Sequence, residues 1–232
     1  VLYAISNVTV LISNSIFVNN TSKILSAAVQ IQYFSFARIR NCSFIGNSAW
    51  VVGSISALWH VEIHIENSNF EDNYANYQAG SLYINRNSIC FLRNSHFKNN
   101  SGLHHNGALQ VLYYSFANIN NCTFESNYGK QRDGTIGIAT SSRLTMIKSA
   151  CIGNAVANRA ACVGIHSGSK GYISRCVFSK NIADGSGGAV SVYAQSSLTI
   201  VGCTFTNNAA ADTGTACEAQ VKCYCNRLPV YL

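Results

Sequence analysis

Charge is scarce in this chain. Only 11% of its 232 residues are charged, with nine acids against 16 Lys and Arg, where soluble domains carry about 25%. The net charge of +7 is scattered, with no run of Lys or Arg, so it describes a solvated surface rather than a docking site for an acidic polymer. Proline occurs once, beside 17 Gly, which excludes collagen-like and Pro-rich chains. No apolar run approaches the roughly 20 residues that cross a bilayer. The chain opens on "VLYAISNVTV", without an initiator Met or a leader pattern. It is therefore read as a mature fragment or a segment of a longer protein.

What is abundant is repetition. Quartets of the form F-x-x-N start at Phe17, Phe44, Phe70, Phe97, Phe124, Phe178 and Phe205, with Cys151 in the one remaining slot. The intervals are 27, 26 and then 27 throughout. Three residues after each stands Asn20, Asn47, Asn73, Asn100, Asn127, Asn154, Asn181 or Asn208. A tiny residue, Gly or Ala, leads each repeat (Ala27, Gly53, Gly80, Gly107, Gly134, Ala161, Gly188), and apolar residues follow it at alternate positions, as in Leu82/Ile84 and Leu109/Val111.

Alternation with period two is the strand signal. The residues are Val, Ile, Ser, Thr and Asn rather than helix formers. Short strands recurring every 27 residues predict an all-β, single-stranded parallel β-helix of roughly eight coils, each lying one strand spacing, about 4.8 Å, above the last. Every column then becomes a ladder. The Phe column predicts stacked rings inside the tube. The Asn column predicts amides bonded along the axis, at a corner in the left-handed conformation that Asn tolerates. The Gly/Ala column marks a corner where a larger residue collides with the wall. At Cys151 a small thiol replaces a ring, so a neighbour must fill that layer. Residues 1–212 are assigned to the repeat domain, and 213–232 to a Cys-rich final coil, cap or start of a further segment.

The tetrapeptide "GGAV" at 187–190, its degenerate versions "AGSL", "NGAL", "DGTI", "VGSI", "SAAV" and "AACV", and the F-x-x-N quartets resemble the paired GGA[ILV] and FxxN repeats of polymorphic outer membrane proteins, known from chlamydial surface adhesins. The resemblance extends over essentially the whole chain. It implies a right-handed parallel β-helix displayed outside the cell and used for adhesion. No C-terminal membrane barrel follows the repeats, so anchoring by such a barrel is not expected.

Ten Cys are present. Cys42, Cys122, Cys176 and Cys203 share a column two before the aromatic, and Cys176 and Cys203 fall in adjacent coils, within disulfide reach. Cys90 and Cys162 are read as buried thiols. Cys217, Cys223 and Cys225 are expected to staple the last coil, since their spacing suits zinc poorly. Glycosylation sequons are placed at Asn7, Asn19, Asn41, Asn99 and Asn121. Together these features favour a secreted, oxidising setting.

Catalytic constellations are thin. Glu71 and Glu125 lie two coils apart, and Glu62, Glu66 and Asp72 share one coil as surface decoration. His60 and His64 are assigned to one strand face beside Glu62, and His104–His105 to a loop with no evident partner. No Ser/His/Asp arrangement is legible. Tyr33, Phe34, Phe36, Trp50, Trp59, Tyr113, Tyr114 and Phe116 exceed what the core columns need and mark a partner surface. The expected function is an extracellular structural or adhesive solenoid without enzymatic activity, cofactor or metal. It would associate with copies of itself or with neighbouring segments, and with glycans, but not with nucleic acid. The alternative is a polysaccharide-binding module, lyase or hydrolase.

Overall fold

The computed structural model describes residues 2–131, 133–212, 214, 217–219 and 223–226, with backbone alone for the last two stretches. They form a parallel β-solenoid. Each coil contributes one strand to each of four sheets, as Val29–Gln32, Phe36–Arg40, Ser43–Ile45 and Ser48–Ala49 do in one coil. The four sheets hold 9, 9, 8 and 8 strands, stacked in coil order. The pairing is parallel and keeps each column in line, with Phe70 opposite both Phe44 and Phe97. Among the described residues there is no helix, and so none long and apolar enough to cross a membrane.

The single 26-residue interval has a definite place. The loop between the fourth sheet and the next coil's first strand usually has six residues, as at 76–81, but residues 50–54 make only five. The lost residue is taken from a loop, so no column changes face.

The inward columns make one continuous core. Phe44, Phe70, Phe97, Phe124 and Phe178 are wholly buried, each worth about 2–3 kcal/mol over an exposed ring. Their rings stack nearly parallel, with centroids 4.6–4.9 Å apart from Phe17 to Phe124 and 4.8 Å between Phe178 and Phe205. That separation is the strand spacing itself. In the layer of Cys151 the gap is closed by chemistry: Cys151 is disulfide-bonded to Cys162, with Cα atoms 6.1 Å apart. The expected free thiol at Cys162 is thus corrected. Cys162 occupies the column of Ala108 and Ala189, across the core from the aromatic, so the bridge spans the space of the missing ring.

Three corners turn each coil, and each uses left-handed residues. The third corner corrects one expectation. Its left-handed residue is the one before the ladder Asn, namely Asn19, Gly46, Asp72, Asn99, Ser126, Gly153, Lys180 and Asn207, with φ between 52° and 61°. The ladder Asn itself lies past the turn with its side chain inward. There Asn100 Nδ2 donates to Asn127 Oδ1 (2.9 Å) and to the Phe70 carbonyl (2.9 Å), while its Oδ1 accepts from Asn73 N–H and Nδ2. The corner's backbone groups, which the turn removes from the sheets, are satisfied this way.

The other two corners follow the same rule with smaller side chains. Ser88, Ser115, Ser142 and Ser169 each direct N–H to the Oγ of the Ser one coil on, at 3.0–3.2 Å. At the remaining corner the column of Ser and Cys does so, as in Ser68 N–H to Ser95 Oγ (3.1 Å) and Cys176 N–H to Cys203 Sγ (3.3 Å). Cys176 and Cys203 are consequently free thiols rather than the expected disulfide. They stand where Ser stands in other coils, each sulfur engaged with backbone. The proposed staple among Cys217, Cys223 and Cys225 concerns side chains outside the described residues. The backbone at 217–219 and 223–226 continues the first and second sheets, with Val190 opposite Cys217 and Leu198 opposite Cys223.

Candidate functional site: a cleft over the first sheet

Glycine explains why the solenoid is concave on one side. At Gly53 and Gly80 an added Cβ would fall on the carbonyl oxygen of the next coil's glycine, so the loops leaving the fourth sheet can fold close against the tube. They overhang the outer face of the first sheet. Ser26 Oγ donates to Ser56 Oγ (2.7 Å) beneath this overhang, and Asn106 Nδ2 reaches the Asp133 carbonyl (2.9 Å). Gly137 and Gly164, outward on the sheet, make room for the side chains of Asn106 and Asp133 respectively.

Between the overhang and the first corner runs a cleft of about 440 Å³. Tyr77, Gln78, His104, His105 and Gln131 line it from the loops; Gln110, Leu112 and Ala139 form its floor; Tyr113, Thr140, His166 and Ser167 line it from the sheet end and corner. His104 Nδ1 bonds to Gln131 Oε1 (3.0 Å) and both histidines contact the Tyr77 ring, so the loop histidines do have partners. The Oε1 atoms of Gln78 and Gln110 are buried without a hydrogen-bond partner. A buried acceptor left open in this way costs about 1–3 kcal/mol.

At one end a carboxylate meets an imidazole. Asp133 and His166 are 2% and 8% exposed, with Asp133 Oδ2 3.1 Å from His166 Nε2. The other ring nitrogen, Nδ1, lies 2.9 Å from Ser167 Oγ. Tyr193 stacks on His166 at 4.9 Å, with its hydroxyl 3.5 Å from Asp133 Oδ1, and the Arg159 guanidinium lies 5.2 Å over the Tyr193 ring. A Ser/His/Asp arrangement therefore exists, against the sequence expectation. Asp133 and His166 are 33 positions apart in sequence, one coil plus six, so no local pattern exposes the pair.

The outward aromatics separate into three groups. Tyr33, Phe34, Trp59, Tyr113 and Tyr114 all occupy the two-residue first corner, with φ between 51° and 63°. Such a conformation is strained for a bulky residue. Tyr33 stacks on Trp59 at 4.7 Å, Phe34 on His60 at 4.8 Å, and Arg86 lies 4.8 Å over the Trp59 ring. His60 is thus a corner residue and not on the strand face of His64. Phe36 and Phe116 point outward from the second sheet, where His64 is tilted against Phe36 and bonded to Glu62 at 2.6 Å. Trp50 stands apart in an overhanging loop, largely exposed.

Remaining candidates are placed as follows. Asn7, Asn19, Asn41, Asn99 and Asn121 are all exposed and left-handed. Asn41 and Asn121 belong to an outer amide column not foreseen as such, in which Asn121 Nδ2 donates to Asn94 Oδ1 (2.9 Å) and Asn94 Nδ2 to Asn67 Oδ1 (3.2 Å). Glu71 and Glu125 lie in one column, with Lys98 between them in register, and Glu125 meets His96 at 3.1 Å. Glu66 pairs with Arg40 at 3.1 Å. Among the described residues no group of three or more His, Cys, Asp or Glu is placed to hold a metal ion.

The family whose model matches is described as "Right handed beta helix region", over residues 56–226. No curated protein and no solved structure matches the chain.

Proposed function

The chain belongs to the right-handed β-helix family, and from that premise we propose that it is an extracellular adhesive solenoid that holds a hydroxyl-rich ligand, a glycan, in the cleft over its first sheet. The uncharged polar lining of the cleft carries this reading: Gln78, Gln110, Gln131, Thr140 and Ser167 supply both donors and acceptors. Sugar hydroxyls, which donate and accept, suit such a lining. The rings of Tyr77 and Tyr113 offer apolar faces for the other side of a pyranose. The lining has no Lys, Arg, Asp or Glu, which favours a neutral saccharide over a uronate polymer. The resemblance to the repeats of polymorphic outer membrane proteins adds surface display and adhesion, and the exposed sequons suit a secreted chain.

Isothermal titration with neutral and uronate oligosaccharides tests the reading. Binding of a neutral oligosaccharide is expected, weakened at least tenfold by Gln131→Met, which keeps volume and removes an exposed amide of the lining. Absence of binding to every neutral saccharide tried overturns it.

Self-association is a second reading, motivated by Leu11, Ile16 and Ile24, each at least 70% exposed on the first coil. Sedimentation showing only monomer at high concentration counts against it.

A further inference from the structure

We propose that Asp133, His166 and Ser167 form a nucleophilic triad that hydrolyses a small acyl ester, such as an acetyl group on a hydroxyl of the bound ligand. The three side chains form an unbroken chain from the buried floor to the open cleft. Asp133 Oδ2 lies 3.1 Å from His166 Nε2, and His166 Nδ1 lies 2.9 Å from Ser167 Oγ. With Asp133 ionised and acceptor-only, Nε2 carries the ring proton, and Nδ1 is left as the acceptor facing the hydroxyl. That is the relation of nucleophile, base and orienting carboxylate that activates a serine.

Position supports the roles. Asp133 and His166 are buried, while Ser167 is exposed and lines the cleft. Ser167 and Gly168 make the left-handed corner, with φ of 55° and 73°. Coils on both sides pin that corner: Ser141 N–H donates to the Ser167 carbonyl (2.9 Å) and Gly168 N–H to the Ala194 carbonyl (2.9 Å). Tyr193 stacked on the imidazole fixes the ring plane. A hydroxyl on a strained, braced turn is preorganised for attack. Among the described residues only Ser6 and Thr140 place a hydroxyl at the corner position of Ser167 in other coils, and Ile5 and Ala139 precede them in place of a histidine.

The chemistry balances with water as the only co-reactant. Ser167 Oγ attacks the acyl carbonyl carbon as His166 Nδ1 takes the hydroxyl proton. The bond from that carbon to the alkoxy oxygen breaks, and the alcohol leaves with the proton returned by His166. Water, deprotonated by His166, then attacks the acyl-serine, releasing the carboxylic acid and restoring Ser167. No oxidation occurs.

The proposal rests on the glycan reading only for the natural carrier of the ester, so its test uses small probes. An alkyl fluorophosphonate is applied to the whole chain, the adduct is located by peptide mass spectrometry, and hydrolysis of p-nitrophenyl acetate is followed alongside. The expected result is a single adduct on Ser167. Ester turnover should rise with pH through one ionisation, be abolished by Ser167→Ala, and fall at least 100-fold in His166→Gln and in Asp133→Asn. Ser141→Ala, at the second position of the neighbouring coil's corner and without a histidine before it, serves as control and keeps full labelling and turnover. Urea midpoints of all variants separate loss of fold from loss of chemistry, and Ser167, exposed at a turn, is not expected to unfold the chain. An adduct elsewhere, no adduct, or turnover equal in Ser167→Ala and the parent overturns the proposal. Neutral-saccharide binding that persists in Ser167→Ala leaves the glycan reading standing whichever way the esterase result falls.

Discussion

In the inner coils, the side chain of a single Asn does the work of two backbone partners. Asn100 joins its own coil to the next through Asn127 and to the previous one through Phe70 and Asn73. Asp cannot replace it, because a carboxylate has no N–H to donate. Asn100→Ala strands the Asn73 amide N–H and one Asn73 side-chain hydrogen in a dry interior, while the Phe70 carbonyl, still in the sheet, loses only its second donor. At about 1–3 kcal/mol for each buried group left open, the loss should reach about 4 kcal/mol in urea unfolding. A loss below about 1 kcal/mol would show that the ladder is ornamental. Exposed Asn94, whose amide bonds lie in solvent, should lose only about 1 kcal/mol on the same change, the cost of Ala in the left-handed conformation at φ 48°.

At the level of elements, the strands are interchangeable and the corners are not. Any alternating apolar segment can lie in a sheet, but each turn must find partners for backbone groups that leave the ladder. The chain answers with Asn, Ser or Cys in the three corner columns. The same interchangeability explains the layer of Cys151, where the disulfide to Cys162 stands in for a ring. Restoring the ring should therefore be tolerated if its space is restored too. Cys151→Phe combined with Cys162→Ala, the pairing seen with Phe97 and Ala108 and with Phe178 and Ala189, should stay within about 2 kcal/mol of the reduced parent. Cys151→Phe alone, with the Cys162 thiol still present, should lose about 1–3 kcal/mol more from overpacking. Thermal melts of the two variants under reducing conditions decide this. Equal melting points would mean the bridge does not occupy the ring's place.

Over the whole molecule, a dry tubular core implies an alkaline weakness. Burial pushes the Cys90 thiol from 9.0 up to about 12 and the Cys122 thiol up to about 11. Burial, with Tyr113 nearby, raises the Tyr83 phenol from 10.0 to about 12. Each folded pKa is raised, so the unfolded chain sheds these protons first. Their stabilising contribution is complete below about pH 8 and is lost as pH climbs from about 9 toward 12. Each buried thiol contributes a slope of about 1.4 kcal/mol per pH unit within that window. Cys203 acts in the opposite sense, because the Cys176 thiol donates to it and holds its pKa down. The urea midpoint should fall between pH 8.5 and 10.5, and the fall should shrink in Cys90→Ala with Cys122→Ser. A midpoint indifferent to both pH and these substitutions would contradict the assignment.

The 27-residue period, the alternating strands, the Phe and Asn ladders and the parallel β-helix were all legible in the residues alone. A repeat writes its contacts into the sequence, because each side chain meets its own counterpart one period away. Where contacts break that rule, the sequence was silent. The Cys151–Cys162 bridge joins different columns, and the left-handed residue at the Asn corner is the neighbour of the residue that stands out. The cleft arises from loops folding over a sheet. Asp133, His166 and Ser167 meet because one coil plus six residues brings an overhanging loop onto the next coil's strand end. Linear spacing determined the rod. Only the tertiary structure decided where the rod is concave, which uncharged side chains line that cleft, and which serine stands among them.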